Sequence, residues 1–421
     1  MNAPALKIDF KTANPHALAT ILEASQTKSI IASRDIFDIS GVKLWARDQP
    51  VSSALQRKLL DRQLRNPLES CLLAEDGVTP QALLQCAEAL FAIDTPLSAL
   101  LRPHAAKIVQ EVPYLPLHSV AQLLLTAGQA SRPESFDHAV QAMALAGALM
   151  IGQGGGTAEL RVAMLAGLLH DLGEMYIDPR MGEADADRSL DFISYQQLVV
   201  HPHVGQLLLT QLTNYPAPIA RAVAEHHERL DGSGYPHALR RDAVSPLGCL
   251  LAVTEASLAV LRGERPDLAR VSIALRVVPG EYDLAWVGAI AQATRSQPVP
   301  QARLDNPTVQ ARLGQLDVAL QGAQDCANAL VPEAESPALQ DALALAQHLL
   351  GRLRAGWYAS GLWNTEALRT TEAAEVEAIE DELFFRLGAI ERAVLLRAGN
   401  LAAADAARLD VLCLALRAGE R

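Results

Sequence analysis

The sequence predicts a mainly α-helical protein with one small α+β module at its start. Half of its 421 residues are hydrophobic, and Ala/Leu-rich segments with helical spacing dominate. Aromatic residues make up only 4% and β-branched runs are few, which disfavours an all-β fold. A charged fraction of 20% is too low, and the apolar fraction too high, for a disordered chain. At roughly 150 residues per domain the length suggests two to three domains.

The first element is the exception to helix. Ile36-Phe37-Asp38-Ile39, then Ser40-Gly41, then Val42-Lys43-Leu44-Trp45 reads as two short strands about a turn. Helical stretches are expected from Ser52 to Leu73 and from Thr79 to Phe91, so residues 1–115 form the α+β module. Residues 116–295 follow as a run of helices with histidines at their ends. Ser296 to Thr308, with Pro298, Pro300 and Pro307, reads as a linker. The remainder, 296–421, is a helical C-terminal region. In it Val376, Ile379, Leu383, Leu387, Ile390 and Val394 form an amphipathic stripe, read first as packed on the protein's own core and second as a coiled-coil face.

Charge and cysteines narrow the class. Lys plus Arg (36) against Asp plus Glu (48) gives −12, which argues against broad binding of nucleic acid or anionic membranes. No stretch approaches the roughly 18 apolar residues of a membrane helix. The longest, Ala142 to Ile151, stops at Gly152–Gly156, and Met1–Lys11 lacks a basic-then-apolar leader. Cys71, Cys86, Cys249, Cys326 and Cys413 are scattered without a CxxC pair. A reduced, cytoplasmic protein without disulfides is expected.

The histidines carry the chemistry. Of eleven, seven (His138, His170, His201, His203, His226, His227 and His237) lie within one stretch of the chain. Imidazole is a nitrogen ligand for Zn, Mn, Fe and Ni, so this concentration, mixed with carboxylates, points to a metal site. The apolar helix Glu159–Leu169 ends in His170-Asp171-Leu172-Gly173, two polar side chains that need partners there. A second apolar helix, Ala217–Glu225, ends in His226-His227, and His201-Pro202 begins the helix to Leu212. Gly232 and Gly234 allow a sharp turn and close approach to a ligand, and Pro236 fixes the exit. Helix ends thus bring candidate ligands to one site within a bundle.

The combination His170-Asp171-x-Gly, His201-Pro-x-x-Gly and His226-His227-Glu-Arg-x-Asp-Gly-Ser-Gly-Tyr235-Pro236 resembles the HD-GYP domain, a branch of the HD phosphohydrolases. The resemblance spans about residues 118 to 285. It implies an HD-type helical bundle that binds two or three divalent ions, Fe or Mn, and hydrolyses cyclic di-GMP to pGpG or GMP in bacterial signalling. It implies His138 as the upstream ligand, His170 and Asp171 as the HD pair with Asp171 bridging two metals, and His201, His226 and His227 completing the second metal. The ions would lower the pKa of a water and neutralise phosphate charge, so an acidic protein can process an anionic nucleotide. The motif Gly234-Tyr235-Pro236 would help shape the nucleotide pocket. Glu134, four residues before His138 on one helix face, suits a third metal. It equally suits a capping box with Ser131. His203 reads as solvated or as supporting a ligand, and His237 as exposed.

Two positions depart from the family pattern. Where HD-x-G-K is usual this chain has Glu174, which reverses a charge facing phosphate. At about 5 Å and an effective dielectric near 20, each unit charge is worth roughly 3 kcal/mol. Glu174 is therefore expected to weaken phosphate binding severely unless it turns to solvent or meets an arginine. Glu255 stands where the last ligand is usually aspartate, and the stretch Leu258–Pro266 has lost the family's acidic residue. The expectation is a metal-dependent phosphodiesterase. The alternative is a weak or inactive signalling module that binds metal and either a nucleotide or a protein partner through the C-terminal helices.

Overall fold

The computed structural model describes residues 9–181, 192–263, 265–294, 302, 304–364, 373–399 and 401–417. Contacts group the chain into two compact units. One comprises residues 1–228 and 235–258, the other residues 229–234 and 259–421.

The first unit opens with α1 (Pro15–Ala24), started by the Asn14 side chain, which accepts from the N–H groups of His16 and Ala17. The hairpin expected at 36–45 forms: β2 (Ile36–Phe37) pairs antiparallel with β3 (Lys43–Trp45), with Gly41 at φ +88° in its turn. A second ribbon was not legible in the sequence: β1 (Ile30–Ala32) pairs antiparallel with β4 (Leu72–Ala74).

The continuous helix expected from Ser52 to Leu73 is a correction. Only α2 (Ser53–Leu59) is helical there. Beyond it the hairpin captures the backbone. Ile39 N–H donates to the Gln63 carbonyl at 3.0 Å, and Arg65 N–H to the Phe37 carbonyl at 2.9 Å. Pro67 further disfavours helix at the residue before it. A 3-10 turn, Glu69–Cys71, then leads into β4. The later helix is as expected, α3 (Pro80–Ala92), capped by Thr79 Oγ1 on Ala82 N–H. Short helices α4 (Pro96–Leu101) and α5 (Ala105–Glu111) follow.

The site-bearing helices are α6 (Ser119–Ser131), α7 (Pro133–Gly152), α8 (Thr157–Leu169), a 3-10 turn Leu172–Tyr176, α9 (Phe192–Leu198), α10 (His201–Leu212), α11 (Ala217–Glu225) and α12 (Pro246–Leu261). Helices α7 and α8 pack closely because their facing residues are small. A Cβ at Gly167 would lie 2.5 Å from the Ala142 carbonyl oxygen, and one at Gly147 would lie 2.8 Å from Met164 Cγ. The capping box proposed for Ser131 and Glu134 is absent. Arg132 is the N-cap of α7 without a side-chain cap bond, and Ser131 Oγ donates instead to the Thr20 carbonyl of α1.

The second unit is helical: α13 (Leu268–Ala274), α14 (Leu284–Thr294), α15 (Asn306–Leu330), α16 (Pro337–Ser360), α17 (Ala373–Ala398) and α18 (Ala403–Arg417). The stripe on α17 packs inward within this unit. Val376, Leu383, Leu387, Ile390 and Val394 are buried and Ile379 lies partly buried against the same core. Of the expected linker, residues 296–301 and 303 lie outside the described residues, and α15 begins at Asn306 behind the Asp305 cap. Among the described residues the five cysteines are free, with Cys71 and Cys413 buried. No single helix there is long and apolar enough to cross a membrane; two consecutive segments, Pro80–Ala92 and Pro96–Tyr114, pass that test only together, across a 105° bend.

Candidate metal centre

Helix ends deliver the histidines as the sequence suggested. His170 follows α8, His201 opens α10, and His226 follows α11. Each ring is aimed the same way. His170 Nδ1 lies 2.6 Å from the Gly167 carbonyl, His201 Nδ1 2.7 Å from that of Leu198, and His226 Nδ1 2.6 Å from that of Val223. A carbonyl only accepts, so each Nδ1 carries the proton and each neutral ring presents a bare Nε2 lone pair inward.

Those lone pairs converge on one carboxylate. Asp171 Oδ2 lies 3.1 Å from His138 Nε2 and 3.0 Å from His170 Nε2. Its Oδ1 lies 3.4 Å from His201 Nε2 and 3.3 Å from His226 Nε2. Each oxygen therefore faces its own pair of imidazoles. Glu255 joins the first group, with Oε2 2.9 Å from His138 Nε2 and 3.2 Å from His170 Nε2. The extra methylene of Glu255 does not keep it out. His227 joins the second, and the donor atoms within each group of four lie within 4.8 Å of one another. The side chains of these converging residues are almost fully buried, Asp171 most exposed at 8%.

This donor set fits metal ions. His201 and His226 meet Nε2 to Nε2 at 3.1 Å, both with Nδ1 committed to backbone, and Asp171 Oδ1 faces the same point. Three acceptors so close repel unless a positive charge stands between them. Without an ion, only a proton can supply that charge at the first group. Burial pulls the His170 pKa down, but Asp171 and Glu255 together raise it well above its ordinary value. Burial likewise pushes Asp171 up, and His170 outweighs it to hold the carboxyl well below its usual range. His226 is pushed down to about 3 by burial and by His227, so its lone pair stays available.

Glycines bring these groups together. A Cβ at Gly173 would lie 2.0 Å from the His201 carbonyl oxygen, and one at Gly205 would lie 2.9 Å from Val223 Cγ1. The glycines of His-Asp-x-Gly and His-Pro-x-x-Gly thus let the 3-10 turn, α10 and α11 approach closely. Glu225, buried, accepts from Ser245 N–H at 2.8 Å, and Ser245 Oγ accepts from Gly248 N–H at 3.0 Å. That anchors the start of α12, the helix that presents Glu255.

At the rim, the Tyr235 ring stacks on His227 at 4.5 Å and meets Tyr195 edge-on at 5.9 Å. Glu228, to which sequence reasoning gave no role, accepts from His237 N–H at 2.7 Å and Leu239 N–H at 2.8 Å. It brackets Ala238, whose φ is +50°. The only signal for Glu228 was its place in the motif string. Gly232 has the positive φ (+86°) expected of a sharp turn, and Gly234 and Pro236 flank Tyr235. His237 is exposed and meets the half-buried His203 edge-on at 5.9 Å.

Two expected residues lie differently. Glu134 is exposed on the first turn of α7 and belongs to neither group of converging donors. Glu174 is 3% exposed, so it does not face solvent; its carbonyl accepts from Arg132 Nη1 at 3.0 Å.

Residues 124–279 match the family described as HD domain. Over 230 residues the chain is 29% identical to the cyclic di-GMP phosphodiesterase PA4108 of Pseudomonas aeruginosa, covering 54% of this chain and 52% of that protein. Over 108 residues it is 30% identical to 3'3'-cGAMP-specific phosphodiesterase 3 of Vibrio cholerae, covering 26% of this chain and 23% of that protein. A solved structure, described as the HDG"Y"P protein Bd1817 from Bdellovibrio bacteriovorus, aligns with TM-score 0.36 and 16% identity over 64% of this chain and 96% of that one. Residues 124–279, which match the HD domain family, also carry the His-Asp-x-Gly, His-Pro-x-x-Gly and Gly234-Tyr235-Pro236 string. The chain spans about half the length of the first of these relatives.

Proposed function

We propose that the protein is a metal-dependent phosphodiesterase that hydrolyses cyclic di-GMP to pGpG or GMP in second-messenger signalling. The observation that carries this reading is the Asp171 carboxylate, each oxygen of which faces two imidazole Nε2 atoms. His138, His170, Asp171 and Glu255 would hold one divalent ion, and Asp171, His201, His226 and His227 a second, with Fe or Mn suited to the mixed imidazole–carboxylate donors. Ions in such a pair supply Lewis acidity toward a phosphoryl oxygen and a water acidified to near neutral pH. Backbone carbonyls of Gly167, Leu198 and Val223 fix the tautomers that aim the Nε2 atoms. Tyr235, stacked on His227 and flanked by Gly234 and Pro236, offers an aromatic face beside the ions for a nucleotide base. Exposed Glu134 offers no support for a third ion.

One observation favours the weaker-enzyme reading: buried Glu174 stands at the position of the family's lysine. The test is product analysis of Mn(II)-loaded protein with cyclic di-GMP and 3'3'-cGAMP, beside Glu174→Lys. Cleavage of cyclic di-GMP in preference supports the proposal. A wild type that holds its metals but cleaves neither, with Glu174→Lys gaining activity, favours the binding module instead.

A further inference from the structure

The turn Leu172–Tyr176 leaves the metal centre directly, since Asp171 is its N-cap, and Gly173 abuts the carbonyl of His201. The turn packs on α10, and tethers from the N-terminal residues and from Arg132 hold its other side. Tyr176 Oη donates to Glu69 Oε1 at 2.7 Å, Asn14 Nδ2 donates to the Tyr176 carbonyl at 3.2 Å, and Phe10 packs edge-on to the Tyr176 ring at 5.7 Å. Arg132 bridges the Glu174 carbonyl and Thr20 Oγ1, both at 3.0 Å. Glu69 sits on the 3-10 turn that leads into β4, so a hydrogen-bonded ribbon backs it. Glu69 is 3% exposed, and its second oxygen has no hydrogen-bond partner among the described residues. A carboxyl buried with half its bonding capacity unused is costly, and such groups call for a reason.

We propose that Glu69 and Tyr176 are positioning residues for the metal centre: their hydrogen bond sets the register of the turn Leu172–Tyr176, and so the spacing of Asp171 from His201. The N-terminal module is then part of the scaffold of the centre. This rests on the metal reading above but not on turnover.

The test is Mn(II) titration of the full chain, followed by electron paramagnetic resonance, for wild type, Tyr176→Phe, Glu69→Gln and Glu69→Leu. Removing a group bonded directly to a metal ligand costs roughly 10- to 100-fold in metal affinity; the Glu69–Tyr176 bond acts through the turn, so the low end applies. Tyr176→Phe and Glu69→Leu are each expected to weaken one Mn(II) about tenfold, and the double variant no further. Glu69→Gln, whose amide oxygen can accept the same bond, is expected to stay near wild type. The proposal is overturned if Tyr176→Phe lowers Tm yet leaves both affinities within about twofold, if Glu69→Gln is as damaging as Glu69→Leu, or if the wild type binds no Mn(II). If Tyr176→Phe does not accumulate, the two Glu69 variants make the same comparison. A wild type that binds two ions and cleaves no cyclic dinucleotide sinks the phosphodiesterase reading and leaves this one standing.

Discussion

Replacing Gly173 with alanine asks the most of the site for the smallest chemical change. The added Cβ would lie 2.0 Å from the His201 carbonyl oxygen and 2.8 Å from Gly205 N, both backbone atoms that cannot rotate away. Ordinary contact begins at 3.4 Å, so the turn and α10 must part by about 1.4 Å (3.4 minus 2.0). That separates Asp171 from His201, whereas metal coordination tolerates only about 0.2 Å. The expected cost is about 3 kcal/mol, the upper end for overpacking. At roughly 2–4 °C per kcal/mol, that lowers the Tm of the first unit by about 6–12 °C. Bound metal per chain should fall as well, since two ligand positions move. Gly128→Ala is the control. It lies in α6 with nothing within 4 Å of a built Cβ, and alanine there should be neutral or stabilise by up to about 1 kcal/mol. Calorimetry with metal analysis reads both. A Gly173→Ala protein with wild-type Tm and full metal content would refute the close-approach argument.

Other outcomes follow from single residues. Glu255→Ala should lower metal content while Glu255→Gln, with one oxygen retained, loses less; equal content in all three would remove Glu255 from the ligand set. Leu383→Ala, at a fully buried position on α17, should destabilise the second unit by about 2–5 kcal/mol in denaturant unfolding, with metal content unchanged. Burial raises the Glu281 pKa to about 7, with Arg386 and Arg229 opposing. Its folded pKa lies above the ordinary 4.5, so its contribution is present below about pH 4.5 and is lost as pH rises through about 7. A shift near 2.5 units corresponds to about 3 kcal/mol, so Tm between pH 5 and 8 should fall more steeply in wild type than in Glu281→Gln. Parallel pH profiles would contradict it.

The convergence of histidines and Asp171 was the most legible part of the fold, because the proposed ligation demands particular residue types at helix ends. His170-Asp171 and His226-His227 close helices that their apolar patterns already outlined. The hairpin at 36–45 was legible from its turn residues. Ribbon β1–β4 was not: three-residue strands about 40 residues apart show no periodicity and no shared turn. The helix read through to Leu73 failed because backbone pairing with the hairpin outweighed local propensity after Leu59. Glu134 showed helical spacing to His138 but not exposure, and spacing alone gives a face rather than a partner. The Glu69–Tyr176 bond joins residues 107 apart, a separation at which no local pattern points.

The most direct test of the account is metal content and turnover on one anaerobic preparation loaded with Fe(II) or Mn(II), alongside His170→Ala/Asp171→Ala. Two ions per chain and cyclic di-GMP cleavage, both lost in the double variant, are predicted. Wild-type metal content in the double variant would contradict the assignment of Asp171 as the shared carboxylate.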